Sequence, residues 1–190
     1  KNFGQTLRQG MELALNSQQG PMKFTAHYTW LNATYQSAEE VGGASNSTND
    51  SDPIQIRPGD SIPLTPKHIL KFHVDYAWNQ AWNTGLGMTA LSGMYARGNE
   101  NNQHRPDGEE FLGSGRTAGY AVFNLNAAYK ASKDTKWMLN VMNVFNRQYA
   151  TAAQLGPAAF TANGQAYAAN ADQKSMFVAP GAPRSVWLSM

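Results

Sequence analysis

Hydrophobicity along this chain flips residue by residue in several segments. In residues 121–130, Ala121, Phe123, Leu125, Ala127 and Tyr129 alternate with positions that include Asn124, Asn126 and Lys130. A strand turns successive side chains to opposite faces, so this is a ribbon with one apolar and one polar face. The same alternation predicts strands over residues 5–16, 23–35, 70–78, 82–90, 121–130, 136–149 and 184–190. In the first, Leu7, Met11, Leu13 and Leu15 oppose Arg8, Gly10, Glu12 and Asn16; in the third, Leu70, Phe72, Val74, Tyr76 and Trp78 oppose Lys71, His73 and Asp75. The sixth is the least regular, with Met138 and Met142 on the face opposite Trp137, Leu139 and Val141.

Very short turns at 17–21, 79–81 and 132–135 alternate with long polar connections at 36–66, 98–118 and 150–182. The first connection lacks apolar periodicity and reads as loop or disorder. The Ala-rich stretch 158–171 has room for a helical turn or two, interrupted by Gly164. The pattern is an antiparallel meander of about seven strands, all-β. Several runs approach the ~9–11 residues that a tilted strand needs to cross hydrocarbon. Aromatic residues collect at strand ends: Trp78, Trp82, Tyr129 and Trp137 around short turns, and Trp30, Tyr35, Tyr120, Phe145 and Tyr149 toward the long connections. Two such bands match girdles at a lipid–water boundary.

Composition sharpens this picture. Only 15% of the 190 residues are charged, against about 25% in soluble domains, yet the mean hydropathy is −0.50. Neutral Asn, Gln, Ser, Thr and Gly supply the polarity, as expected of a water- or protein-filled lumen, and equally of a loop-rich lectin. The net charge of +2 is dispersed, without the basic patch of a nucleic-acid binder. No apolar run approaches the ~20 residues of a membrane helix, which says nothing against strands. The chain has no Cys, which excludes thiol chemistry and suits an oxidising compartment. No signal peptide is visible. Strands in lipid must close into a barrel, and bacterial single-chain barrels have even counts, so an odd total implies part of a larger barrel.

Ordered motifs carry a family likeness. Gly10-Met11-Glu12-Leu13, Tyr28-Thr29-Trp30-Leu31-Asn32-Ala33-Thr34-Tyr35, and Gly59 through Pro63, Pro66 and His68 resemble segments of TonB-dependent outer-membrane receptors. Asn143-Val144-Phe145-Asn146-Arg147-Gln148-Tyr149 and Gly181-Ala182-Pro183-Arg184 are similar to that family's approaches to its last strands. The resemblance implies that residues 1–190 are a single segment, the C-terminal part of a 22-stranded transmembrane β-barrel. It implies a plug domain of the same polypeptide, absent from this chain, and a TonB complex reached through the missing N-terminal part. Family chains run a few residues further, to a terminal aromatic, so ending at Met190 implies truncation. The implied function is energised uptake of a scarce bulky nutrient, such as a ferric siderophore or similar metal chelate, in the outer membrane of a Gram-negative bacterium. No enzymatic activity, cofactor or resident metal is implied, and no nucleic acid.

Arg8, Glu12, His27, Lys71, His73 and Asp75 are assigned to the lumen, facing plug or water. An Asp–His base or a metal site at His27, His73 and Asp75 is the lesser reading, because no third ligand or nucleophile lies at useful spacing. Tyr95, Arg97, His104, Arg105 and Arg116, in or beside the second long connection, are the candidate ligand contacts. Guanidinium forks suit carboxylate or catecholate oxygens, and Tyr adds a ring and a phenol. The plainer reading is a solvated loop balanced by Glu100, Asp107, Glu109 and Glu110. Other readings stay open: a passive porin or adhesin-type barrel, a barrel enzyme using His104, and a soluble carbohydrate-binding sandwich.

Overall fold

The computed structural model describes residues 4–48, 53–158 and 173–190. Its strands in chain order are β1 (Thr6–Gln19), β2 (Met22–Tyr35), β3 (Glu39–Val41), β4 (Ile54–Ile56), β5 (His68–Ala77), β6 (Trp82–Leu91), β7 (Tyr120–Lys130), β8 (Lys136–Met142), β9 (Ala150–Pro157), β10 (Lys174–Pro180) and β11 (Ser185–Ser189). Seven of them form one antiparallel sheet in the order β1-β2-β5-β6-β7-β8-β11. Sequential neighbours pair throughout, as in a meander. The remaining four make two separate hairpins, β3–β4 and β9–β10, inside the first and third long connections.

Register converts the alternation into rows. Phe24, Val74, Leu86, Leu125, Val141 and Val186 face one another across six strands. One residue along, the row reads Lys23, Asp75, Gly85, Asn126, Asn140 and Trp187. Adjacent rows point to opposite faces, so a one-residue slip would exchange them completely. The sheet therefore has an apolar and a polar face. No hydrophobic side chain of the apolar face is buried: Leu13 is 55% exposed, Leu125 43% and Leu188 68%. The polar face has an exception where Trp187, opposite Asn140, lies between Met138 and Met142 of the neighbouring strand.

Tight turns close one end of the sheet. Gly20 takes φ 55° in the two-residue link from β1 to β2, a conformation only glycine adopts freely. Around the other two turns, Trp82 stacks on Tyr129 with centroids 4.4 Å apart, and Tyr76 packs edge-on to Trp78 at 4.7 Å. Gly10 answers a different need, since a Cβ there would collide with the backbone carbonyl of Trp30.

Three expectations need correction. The sixth strand stops at Met142 rather than running to 149, because Asn143 (φ 48°) and Asn146 (φ 50°) turn the backbone out of the extended region. The first connection is not wholly loop: β3–β4 is ordered, and Ile54 and Ile56 are each only 1% exposed. Part of the third connection is the β9–β10 hairpin; the helical turn suggested within 158–171 falls almost entirely outside the described residues. The aromatics of the long-connection end also divide between faces. Trp30 is on the apolar face and Phe145 packs on Phe123 there, while Tyr35 and Tyr120 belong to the polar face, where Tyr149 packs on Tyr120 at 4.4 Å with the rings tilted by 38°.

Candidate functional site

All three long connections leave the same end of the sheet, where they pack into a cap. The described buried core lies largely here: Ala96, Ala153 and Leu155 form a cluster against which Met176 packs. Backbone bonds join the second and third connections, Arg97 N–H to Ala153 carbonyl at 2.9 Å and Leu155 N–H to Arg97 carbonyl at 2.8 Å. Leu112 N–H donates to Lys174 carbonyl and Lys174 N–H to Glu110 carbonyl, each at 2.8 Å. The Lys174 ammonium also pairs with Glu110 and lies 5.0 Å from the Phe111 ring centre.

Asparagine side chains join the first connection to the second. Asn46 Nδ2 donates to Gly98 carbonyl at 2.8 Å and to Asn101 Oδ1 at 3.1 Å, and Asn101 Nδ2 reaches Thr48 Oγ1 at 2.7 Å. Asn102, in the left-handed region at φ 59°, accepts from Ser61 N–H at 2.6 Å and donates to Ser61 carbonyl at 2.9 Å. Such side chains replace the backbone partners that irregular segments lack.

His104 belongs to this network. It is 1% exposed. Its Nδ1 accepts from Ser47 N–H at 3.1 Å and its Nε2–H donates to Gly113 carbonyl at 3.2 Å, which fixes the neutral tautomer. Burial pushes its pKa below the ordinary value; the Gly113 carbonyl works against that shift, and Arg105 adds to it. Gly115 is held at φ 63° beneath it, where a Cβ would press on His104 and Asn99. Asp107, by contrast, accepts backbone N–H bonds from Glu109, Glu110 and Phe111 at 2.9, 3.0 and 2.9 Å. Those bonds, the Glu109 one foremost, lower its pKa.

The five candidate ligand contacts are therefore not one cluster. Arg116 lies over the Tyr95 ring at 5.2 Å, across a β-bridge between the two residues. Arg97 is exposed and lines a cavity of about 550 Å³ with Tyr35, Glu100, Gln154 and Leu155. Glu100 there accepts from Gly98 N–H through Oε1, while its buried Oε2 has no hydrogen-bond partner among the described residues. Arg105 is exposed, turned back onto its neighbour's carbonyl at 2.8 Å, and lines neither this cavity nor the next. His104 offers both ring nitrogens to protein.

Sequence reasoning missed a second cavity of about 260 Å³, lined by Arg116 together with Arg147, Gln148, Tyr120 and Tyr149. Its signals were scattered: Arg116 stood among the candidate contacts, Tyr120 and Tyr149 among the strand-end aromatics, and Arg147 in the Asn143–Tyr149 motif, read as strand. On the sheet below, Arg8, Glu12, His27, Lys71, His73 and Asp75 share the polar face. His73 Nε2 lies 3.1 Å from Asp75 Oδ2, and Gly85 makes room for Asp75 and Asn126 side by side. Among the described residues no three His, Cys, Asp or Glu side chains converge as a metal site.

No curated protein matches the chain by sequence. Among solved structures it is similar to the siderophore receptor PiuA from Acinetobacter baumannii, with TM-score 0.68 and 17% identity over 96% of this chain and 21% of that one. The ferric-catecholate import receptor Fiu from E. coli K12, in its closed form, gives 0.62 and 18% over 96% and 20%. The ferric yersiniabactin uptake receptor FyuA from Yersinia pestis gives 0.62 and 16% over 96% and 23%. At such identities the likeness concerns the fold, and the chain spans about a fifth of the length of these proteins. The family model described as TonB dependent receptor-like, beta-barrel, matches residues 1–146. The chain belongs to that family, and its open sheet is part of such a barrel.

Proposed function

We propose that this chain is a C-terminal portion of the barrel wall of an outer-membrane receptor of a Gram-negative bacterium. The receptor takes up a scarce, bulky nutrient with energy delivered through TonB, most simply a ferric siderophore or similar metal chelate. The observation that carries this reading is the uncovered apolar face running across the sheet, opposite a polar face, with every long connection at one end. Burial of an apolar side chain contributes about 1.5–3 kcal/mol, so a continuous open face is untenable in water and natural in lipid. β1 and β11 are the sheet's edges, and in a bilayer their backbone groups require further strands of the same polypeptide.

On this reading the tight turns face the periplasm and the cap faces outward. The polar-face side chains Arg8, Glu12, His27, Lys71, His73 and Asp75 meet a plug domain belonging to the same polypeptide. Tyr95, Arg97 and Arg116 are the cap's ligand contacts. His104 serves them indirectly, by tying the first connection to the second, and exposed Arg105 is a further contact outside both cavities. The work is transport rather than catalysis.

A passive porin would use the same wall, and energy dependence separates the two. Cells carrying the full-length gene should accumulate iron from an iron(III) tris-catecholate complex. Accumulation should stop on deletion of TonB or addition of a protonophore. Uptake that continues unchanged under both conditions would contradict the energised reading in favour of the passive one.

A further inference from the structure

The apolar face of the sheet is not evenly bulky. Toward the tight turns one row reads Tyr76, Thr84, Ala127, Leu139 and Leu188. Thr84 and Ala127 are small, with Leu86 and Leu125 two residues nearer the cap and Trp82 and Tyr129 two nearer the turns. They leave a depression of about 340 Å³, walled by Tyr76, Leu125, Leu139 and Val141. A second, of about 240 Å³, lies among Tyr129, Trp137 and Leu188 and shares Ala127 and Leu139 with the first. The two adjoin as one groove. Thr84 brings a hydroxyl to it, and that hydroxyl accepts the Trp78 indole N–H at 2.8 Å. From Tyr129 to Leu125 the strand advances roughly 13 Å at ~3.3 Å per residue, close to half of a ~30 Å hydrocarbon core. The groove thus has the length of one leaflet.

Charge gathers at its turn end. Lys130 and Lys136 face each other at the ends of β7 and β8, and Lys133 lies in the turn between them. All three are exposed. Asp134 is the one carboxylate in 130–136, and the ion pairs among the described residues are His73–Asp75 and Lys174–Glu110, so none of these lysines is paired. Like charges directly opposed across two strands repel, and an anion beside them relieves the cost. Lys130 and Lys136 continue the polar phase, but as rim residues their long stems can carry the ammonium to the headgroup layer. The other tight links differ: 17–21 and 79–81 hold no charge, and Lys23, beyond the first, sits opposite Asp75.

We propose that this groove and the β7–β8 turn form a seat for one anionic phospholipid of the periplasmic leaflet. An acyl chain fills the groove past Ala127, the Trp82, Tyr129 and Trp137 rings border its exit at the interface, and the lysines hold the phosphate. The proposal rests on the barrel-wall reading and names a lipid ligand on the face away from the lumen.

The test is native mass spectrometry of the full-length receptor in detergent, titrated with phosphatidylglycerol or with zwitterionic phosphatidylcholine of the same chains. One phosphatidylglycerol should be held roughly tenfold more tightly than phosphatidylcholine. Lys133→Gln with Lys136→Gln should abolish that preference and leave phosphatidylcholine binding unchanged. Ala127→Phe, which fills the groove, should remove the bound lipid with all three lysines in place, whereas Leu15→Phe on the same face of β1 should not. Should Ala127→Phe fail to insert, the lysine variant alone decides. Equal retention of the two lipids, a preference that survives the lysine variant, or a bound lipid that survives Ala127→Phe overturns the seat. A fluorophore at position 123 separates this from the wall reading. Quenching there by brominated lipid without selective retention removes the seat alone; no quenching contradicts the wall as well.

Discussion

In the seven-stranded sheet, Leu13, Leu125 and Leu188 lie open on the apolar face, whereas in the cap Ile54, Ile56, Ala96 and Leu155 are shut away from solvent. One region keeps its hydrophobic side chains for its surroundings; the other buries them in itself. The sheet is held together by backbone ladders and by same-face neighbours across strands, such as Trp82 on Tyr129. The cap has a small core of its own and a web of buried asparagines. In the proposed bilayer setting the wall's stability depends on lipid, and the cap's on satisfied polar groups.

Inserting charge at the middle of the apolar face should break the wall most severely. Leu125→Arg is expected to cost about 2–4 kcal/mol in lipid, read as a shift in the unfolding equilibrium of the full-length protein in vesicles. Asn126→Arg, one residue along on the polar face, should cost far less. Equal effects would mean that the two faces share one environment.

A cap substitution should instead act locally. Asn143→Ala removes the bonds to Arg147 and Ala182 and leaves a left-handed turn without its preferred residue. A loss of roughly 1–3 kcal/mol is expected from such unsatisfied groups. Hydrogen exchange should accelerate at the Arg147 amide and leave β6–β7 amides untouched; acceleration across the sheet would show that cap and wall are one cooperative unit.

Acid should have a smaller and still local effect. Burial lowers the His104 pKa below its ordinary 6.5, so the folded cap binds this proton less readily than the opened one. The stability of the junction is thus full above about 6.5 and falls as pH drops through that value toward the depressed folded pKa. Protonation would place an N–H against Ser47 N–H. Ser47 amide protection should decline below that pH, after correction for intrinsic exchange rates; pH-independent protection would contradict the assignment of Nδ1 as acceptor. Least of all should Lys174→Ala matter. Its pair with Glu110 is partly exposed, and about 0–1 kcal/mol is expected, measured in the same vesicle unfolding assay.

The wall was legible in the sequence because period-two alternation is a direct image of a two-faced sheet. Phe123, Leu125 and Ala127 against Asn124 and Asn126 fixed both strand and face. The cap was opaque for the same reason. Ala152, Ala153 and Gly156 in β9 carry little hydrophobic contrast, so the hairpin left no alternating trace. Ile54 and Ile56 in β4 were a two-residue hint inside a polar tract. Asn143 and Asn146 ended β8 through backbone conformation, which a count of apolar positions does not register. The candidate site suffered likewise: Tyr95 and Arg116 meet, but His104 is drawn inward by long-range partners, and Arg147 reaches its cavity only because the strand stops early. Met138 and Met142, the irregularity of the sixth segment, flank Trp187 and mark an apolar spot on the polar wall, where the proposed plug would meet it.

The central claim is that the two faces of the sheet lie in different media. These 190 residues contain no cysteine; in the full-length protein with any other cysteine replaced by serine, single cysteines can be placed one at a time along 121–130 and labelled with a fluorophore. Quenching by brominated lipid should rise at 121, 123, 125, 127 and 129 and fall at the positions between them. Uniform quenching along the strand, or quenching in the opposite phase, would contradict the account.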